Sequence, residues 1–337
     1  MGPAVESAVV SLRRRVLRRT AFAVLTVYLV CSVSFLLVAV PGDPNTGSVR
    51  QAAAMEATGN ESQRAAQIES QVEAYRAANN LDEPLHRRYI RWLVDISTLS
   101  WGEARSAPGS VTDAIARAAP YTLVYLVPGF LVGAALGVAS GVGSALAGRR
   151  PVGRLTSTAT YLLSGVPNFY LAAVLLVLVG SAFGWDATGW EPGPWPAKYW
   201  LRMALPAAVT ATGTLAAAHR HARANALARR TEDYVAHVTA TGAGPVDTAR
   251  HLLRPAAVPL LTLLYGDLLA ALVVTVYVVE YAFGIPGFGA LSYGAIRARD
   301  VPLVLGTTFV IVLVGVAGSW AQDVLHAVLD PRVREDD

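Results

Sequence analysis

Uncharged apolar runs alternate with short basic segments along this chain of 337 residues. An α-helix rises about 1.5 Å per residue, so about 20 apolar residues are needed to cross the hydrocarbon core of a bilayer. Six runs approach or exceed that length, although the fourth is short and its flanking arginines must extend to the interfaces. The runs are 21–40, 118–148, 155–185, 203–218, 256–283 and 301–322. The pattern predicts an all-α membrane protein with six spans.

Composition agrees with this prediction and narrows the possible functions. Hydrophobic residues make up 53% of the chain and charged residues only 15%, against roughly a quarter charged in a soluble domain. A soluble globule of this size could not bury so much apolar surface. The net charge of +4 is best assigned to individual loops and does not indicate a nucleic-acid partner. Because Cys31 is the only cysteine, no disulfide can form within the chain.

The distribution of basic residues predicts the orientation in the membrane. With a cytoplasmic N-terminus, 16 of the 28 Lys and Arg residues fall on the cytoplasmic side. Eight of the other twelve lie in one long segment, and long segments cross largely regardless of charge. We therefore expect a multi-pass plasma-membrane protein with both termini in the cytoplasm. The expected divisions are a tail at 1–20, a first span at 21–40, an extracytoplasmic segment at 41–117, a core at 118–334 and a tail at 335–337.

Two further patterns refine this outline. Apolar positions at helical spacing predict a surface helix at 61–79 and an interfacial helix around 89–96, both in the extracytoplasmic segment. No A-x-A-like cleavage site follows the first run, which is therefore expected to remain as a helix.

The loop at 219–255, between the fourth and fifth runs, has the residues of a helix–turn–helix. Glu232 and Asp233 favour a helix N-terminus, and Gly242 can supply the left-handed turn that ends that helix. Pro245 then suits the first turn of a second helix. We predict a stiff cytoplasmic projection attached directly to a membrane span; the alternative is an amphipathic surface loop.

This loop resembles the "EAA" loop of the permeases of binding-protein-dependent ABC importers. The matching residues are Asp233, Tyr234, Ala240, Gly242 and Pro259. Five other stretches resemble the dipeptide/oligopeptide/nickel branch of that family, in the same order along the chain. They are VPGDP at 40–44, NLDEPL at 80–85 with its following Tyr89 to Trp92, SGVPNF at 164–169, VEYAFGIPGFG at 279–289 and LDPRVR at 329–334.

The resemblance implies a fold, a set of partners and a mechanism. The fold would be the six-helix bundle of a type I importer permease, with a short cytoplasmic coupling helix after Gly242. The chain would act with a second homologous permease, two cytoplasmic P-loop ATPases and an extracytoplasmic solute-binding protein. The branch handles di- and oligopeptides, nickel and some sugars; we expect di- or oligopeptides as the cargo, because peptides dominate it. ATP and Mg would bind the ATPases, so this chain would be a transport subunit without cofactor, metal or catalytic residues. The residues expected to couple to the ATPase are Glu232, Asp233, Tyr234, Ala240, Gly242, Ala243 and Pro259.

Two acidic residues interrupt the fifth run. An ionisable group inside a span is costly unless it faces protein or water, so Asp267 and Glu280 are candidates for the translocation path. The structural alternatives are a helix–helix hydrogen bond for Asp267 and support of the following Gly/Pro turn for Glu280.

Several other polar and small residues favour structural roles. His219 and His221 are two residues apart and would face different directions on a helix, so they mark a span boundary rather than a metal pair. The four-residue spacing of Gly133, Gly137 and Gly141 indicates helix packing and not a nucleotide loop. The sequence contains no G-x-x-x-x-G-K-[ST] motif.

Two other classes of protein remain as alternatives. A proton-coupled secondary transporter could use Asp267 and Glu280 as carriers, but it would need inverted repeats that the sequence does not display. A membrane receptor or assembly scaffold could use the extracytoplasmic segment to bind a ligand. Neither alternative explains the projection around Gly242.

Overall fold

The structure is a computed structural model that describes residues 3–40, 43, 45–148, 150–183 and 197–329. Across these ranges the regular structure is helical, apart from one isolated β-bridge between Glu103 and Ser110. The prediction of an all-α protein is therefore confirmed. Residues 41, 42 and 44 of the VPGDP sequence, most of LDPRVR, the end of the third run and the tail at 335–337 lie outside the described residues.

The α-helices follow one another with short connections. They are α1 (Pro3–Ala39), α2 (Asn45–Glu56), α3 (Glu61–Ala78), α4 (Leu85–Ser97), α5 (Val111–Ala147), α6 (Pro151–Ser164), α7 (Asn168–Phe183), α8 (Ala197–Arg229), α9 (Asp233–Ala240), α10 (Pro245–Ala270), α11 (Val276–Phe283), α12 (Phe288–Ala298) and α13 (Val301–Leu329). A π-helical turn, Ala271–Thr275, joins α10 to α11. The two helices predicted in the extracytoplasmic segment correspond to α3 and α4.

Four predicted spans correspond to single apolar segments. Val16–Leu37, Val111–Ala147, Pro259–Phe283 and Val301–Val324 are each long and apolar enough to cross a membrane. The third predicted span is not one straight helix: α6 and α7 meet at a bend of 95°, around the Gly165–Pro167 connection. The bend has a local cause, because the ring of Pro167 disfavours a helical conformation at the residue before it.

The fourth predicted span differs from the others in composition. It lies within α8, whose 33 residues extend about 50 Å. Pro206, Thr210, Thr212 and Thr214 interrupt its apolar stretch, and α8 is not among the helices that pass the same test of length and hydropathy. Length and composition therefore account for up to five crossings in the described residues, one fewer than predicted.

The chain divides into two compact units. The large unit comprises Met1–Thr20, Arg117–Leu291 and Ala317–Asp337, and the small unit comprises Ala21–Ala116 and Ser292–Val316.

Glycines let α5 and α8 approach closely in the large unit. A Cβ atom added at Gly129, Gly133, Gly137 or Gly141 would lie 2.5–2.6 Å from a backbone carbonyl oxygen of α8. The predicted packing face is therefore confirmed, and it extends one turn further than predicted. One end of the unit has an apolar core drawn from α5, α7, α8 and α11. Its buried members are Tyr121, Tyr125, Leu126, Ala172, Met203, Val209, Val276, Val279, Phe283 and Ile285.

The small unit is held together by aromatic contacts and by one buried carboxylate. The Phe35 ring of α1 packs against the rings of Tyr89 and Trp92 of α4, with centroids 5.5 and 5.3 Å apart. Asp300 is 1% exposed and accepts hydrogen bonds from the backbone amides of Arg105 and Ser106, both at 2.7 Å. Burial alone would raise the pKa of Asp300, but these hydrogen bonds outweigh it and lower the pKa.

Candidate functional site

The loop between α8 and α10 forms the helix–turn–helix that the sequence predicts. α9 begins at Asp233, whose carboxylate lies in the first turn, where the helix dipole favours negative charge. After α9 the chain turns at Gly242, whose φ of +82° is the left-handed conformation that glycine adopts without a steric penalty. Gly244 is the N-cap residue of α10, and Pro245 is its first residue.

The second helix of this motif is longer than predicted. A short coupling helix was expected after Gly242, but Pro245 opens the 26-residue α10, which continues into the fifth span. Pro255 and Pro259 lie inside α10 and do not end it. Pro259 is 14 residues beyond Pro245, about 20 Å along the axis. It therefore lies apart from the other predicted coupling residues, which cluster at α9 and the turn.

α9 is anchored on one face and exposed on the other. Val235 is 3% exposed and packs into an apolar cluster of the large unit. The other buried members of that cluster are Val142, Ala145, Ala222, Ala226, Leu252, Ala256 and Leu260. Tyr234 is 37% exposed and Val246, in the first turn of α10, is 79% exposed. Residues 232–246 thus form an exposed projection on a fixed base, which we call the α9 projection.

Asp267 lies on α10 and faces α8. Its Oδ2 atom is 3.9 Å from Nε2 of His221, too far for a hydrogen bond but close enough for attraction to a protonated imidazole. Within the described residues that Oδ2 atom is buried and has no hydrogen-bond partner. This pairing was not predictable from the sequence, because Asp267 and His221 are far apart in the chain and lie on different helices.

His219 and His221 face different directions, as their spacing predicts. His219 is fully buried, and its Nδ1 atom lies 3.0 Å from Oγ of Ser140 on α5. In the part of the chain that the structure describes, no group of three or more His, Cys, Asp or Glu side chains is arranged to hold a metal ion.

Glu280 is fully buried at the end of the fifth span and is bonded to the turn that follows it. Its Oε1 atom accepts hydrogen bonds from Thr122 Oγ1 at 2.5 Å and from the Tyr125 hydroxyl at 3.1 Å. Its Oε2 atom accepts from the Ala290 amide at 2.8 Å. A Cβ atom at Gly287 would collide with this carboxylate. These contacts favour the structural interpretation, in which Glu280 supports the Gly/Pro turn.

Thr122 is a residue that the sequence did not single out. It donates to Glu280 and also accepts a hydrogen bond from the Phe288 amide at 2.8 Å, so it links α5 to the start of α12. Thr122 and Glu280 are separated by 158 positions. Only an observation of spatial contact could have paired them.

The chain matches known transport proteins over most of its length. Residues 114–335 match the family described as binding-protein-dependent transport system inner membrane component. A dipeptide transport system permease protein of Bacillus subtilis is 29% identical over 79% of this chain and 84% of its own length. A putative peptide transport system permease protein of Brucella abortus is 28% identical over 95% of this chain and 99% of its own length. An oligopeptide transport system permease protein of Haemophilus influenzae is 27% identical over 95% of this chain and 98% of its own length.

Proposed function

The chain belongs to the family of binding-protein-dependent transport system inner membrane components, and we propose that it is the permease subunit of an ATP-driven importer of di- and oligopeptides. The family membership and the apolar helices make it a multi-pass transport subunit of the cell membrane. The peptide cargo is supported by relatives that match the chain nearly from end to end and are named as peptide and oligopeptide transport permeases.

The proposed assembly contains several partners. Membership in this family implies an ATPase and a solute-binding protein. We propose that two cytoplasmic P-loop ATPases bind this chain and a second homologous permease, and that ATP and Mg bind only to the ATPases. The binding protein would deliver peptide to the extracytoplasmic segment at 41–117, with both termini of this chain in the cytoplasm.

The observation that carries the mechanism is the geometry of the α9 projection. Its exposed face presents Tyr234 and Val246 to a partner, while Val235 fixes its base to the apolar cluster of the large unit. Because α10 continues without a break from the turn into the fifth span, a displacement of the projection would be transmitted directly to that span. A stiff two-position lever of this kind is what switching between inward-open and outward-open states requires.

The roles proposed for individual residues follow from this geometry. Glu232, Asp233 and Tyr234 would form the contact with the ATPase, and Ala240, Gly242 and Ala243 would set the angle between α9 and α10. Pro259 would act within the lever and not at the contact. Asp267 remains a candidate for the translocation path, because its buried Oδ2 atom has no hydrogen-bond partner within the described residues.

Reconstitution of the complete importer tests the proposed function. The permease pair, the ATPases and the binding protein would be placed in liposomes, and ATP-dependent uptake of labelled di- and tetrapeptides would be measured. We expect uptake that requires both ATP and the binding protein, and peptide among the ligands that co-purify with the binding protein. ATP-independent uptake driven by a pH gradient would contradict the proposal.

The proton-coupled alternative is not favoured. The chain belongs to a family of binding-protein-dependent systems, and one of the two proposed proton carriers, Glu280, is engaged by three hydrogen bonds that hold a turn.

A further inference from the structure

The small unit contains a partly open cavity of about 300 Å³ that plays no part in the lever mechanism. It lies between the end of α1, helices α3 and α4, the segment at 100–105 and the beginning of α13. Its volume is at the lower end of the range of ligand pockets, about 300–1,000 Å³. We call it the α4 cavity, because α4 contributes two of its four charged residues, Arg88 and Asp95.

The apolar walls of the α4 cavity are held in place by ring contacts. Phe35 and Trp92 pack together on one side, and Trp101 and Phe309 pack together with centroids 5.1 Å apart on the other. The Trp101 indole also donates a hydrogen bond to the Ile96 carbonyl at 3.1 Å. These aromatic faces offer apolar contact and attract cations through their π-systems.

One polar wall is linked by hydrogen bonds within the protein. The Arg105 guanidinium donates to the Tyr75 hydroxyl at 2.8 Å, and that hydroxyl donates to Asp43 at 2.6 Å. Asp43 also accepts two hydrogen bonds from Asn45. The backbone of Arg105 is itself fixed by Asp300. These residues shape the cavity, and each of them already has a hydrogen-bond partner within the protein.

Two other charged residues of the cavity are different. Arg88 and Asp95 both line it, and both are half-buried. Within the described ranges, neither side chain makes a hydrogen bond or an ion pair. They are seven residues apart on α4, which places them two turns apart on one face and separates them by about 10 Å along the axis. Because neither charge has a partner in the described part of the protein, a ligand of opposite charge can form a charge-assisted hydrogen bond with each.

We propose that the α4 cavity binds a short zwitterionic peptide, with its ammonium group at Asp95 and its carboxylate at Arg88. Three extended residues span about 10 Å, so a tripeptide matches the axial separation of the two side chains. The aromatic walls would receive the central side chain. The choice of a peptide over other zwitterions rests on the proposed function. The prediction that a zwitterion binds here rests only on the cavity and its two charges, and is independent of that function.

The test uses the full-length permease alone, in nanodiscs, without ATPase or binding protein. Binding of the tripeptide Ala-Phe-Ala is measured by isothermal titration calorimetry, beside its N-acetylated and C-amidated forms. We expect saturable binding of the free tripeptide and affinity at least about tenfold lower for each blocked form, because each loses a charge-assisted hydrogen bond. Free phenylalanine, whose charges are too close to reach both side chains, should also bind more weakly.

Matched variants connect the binding to the two charges. Arg88→Gln should weaken binding of the free tripeptide and should abolish the difference between it and the C-amidated form. Asp95→Asn should also weaken binding of the free tripeptide, and it should abolish the difference between the free and the N-acetylated forms. Arg87→Gln and Asp82→Asn alter exposed neighbours outside the cavity and should leave affinity unchanged. Each variant is compared with wild type by size-exclusion profile and thermal midpoint.

Two results would overturn the proposal. One is the absence of saturable Ala-Phe-Ala binding to a wild-type protein that is folded and monodisperse. The other is binding that is equally tight for the blocked peptides and for the Arg88 and Asp95 variants, since the charges would then have no role. Neither result would affect the import function, which is measured separately by ATP-dependent uptake in the reconstituted complex.

Discussion

Single residues decide the geometry at two turns of this protein, and a glycine is required at each for a different reason. At Gly287 the reason is space, because the Glu280 carboxylate occupies the position of a side chain. At Gly242 the reason is backbone conformation, because its φ is +82° and there is open space around it. The two positions therefore respond differently to small and to β-branched side chains.

Gly287→Ala should destabilise the large unit. The added methyl group would displace the Glu280 carboxylate from its hydrogen bonds with Thr122 and Ala290, an overpacking cost of about 1–3 kcal/mol. The measurement is the thermal midpoint of the purified permease. Gly294→Ala is the matched control, because a Cβ at Gly294 has nothing within 4 Å. Equal midpoints for both variants would show that the Glu280 contacts do not hold the turn.

Gly242→Val should uncouple the permease from its ATPase without unfolding it. A left-handed conformation costs a non-glycine residue about 1–2 kcal/mol, and more when it is β-branched. The turn would rearrange and change the angle between α9 and α10, whereas the membrane helices pack elsewhere. We expect normal amounts in the membrane, weak co-purification of ATPase and loss of peptide-stimulated ATP hydrolysis.

The control for this prediction is Gly244→Ser. Gly244 is an N-cap residue with an ordinary φ of −68°, and serine is a preferred residue at that position. Its ATPase binding and stimulated hydrolysis should match wild type. If Gly242→Val also retained both activities, the assignment of the α9 projection as the coupling element would be wrong.

At the scale of elements, periodicity and spacing predicted what depends on neighbours along one helix. The small-residue face of α5 was readable from the four-residue spacing of Gly133, Gly137 and Gly141, because such a face repeats every turn. The bend between α6 and α7 was not predicted, because both helices lie in one continuous apolar run and hydropathy does not indicate where a helix changes direction. The helix after Gly242 was expected to be short on the basis of the family resemblance, whereas α10 continues for 26 residues with Pro255 and Pro259 inside it.

The α5–α8 contact gives a prediction at this scale. Gly137→Ala should lower stability by about 1–3 kcal/mol, because its Cβ would lie 2.5 Å from the Leu215 carbonyl oxygen. Gly143→Ala, on the same helix, meets nothing within 4 Å and should raise stability by up to about 1 kcal/mol through helix propensity. Thermal unfolding of the two variants in the same lipid should give shifts of opposite sign. Shifts of the same sign and size would exclude close packing along this face.

At the scale of the whole molecule, the predicted class of protein and its family were correct, and the pairing of distant residues was not predictable. Glu280 with Thr122, Asp267 with His221 and the residues around the α4 cavity come from separate helices. Their contacts depend on tertiary packing, which local periodicity does not encode. The α9 projection was predictable because its signals are local in the sequence. They are the acidic residues at the N-terminus of α9, the glycine at the turn and the proline in the first turn of α10.

Membrane orientation is also a property of the whole molecule, and it rests on the distribution of Lys and Arg. In a Cys31→Ala background, Ser62→Cys and Ala243→Cys introduce single thiols in the segment at 41–117, which is predicted to be extracytoplasmic, and in the α9 projection. Ser62 is exposed on α3 and Ala243 is partly exposed in the turn, so both positions are accessible to a reagent on their own side.

In intact cells an impermeant maleimide should label Ser62→Cys and spare Ala243→Cys, and permeabilised cells should show labelling of both. Cys31 is 1% exposed, so wild type should stay unlabelled in either condition. Labelling of Ala243→Cys from outside intact cells would place the projection on the wrong side for an ATPase, and the lever mechanism would then have to be abandoned together with the orientation.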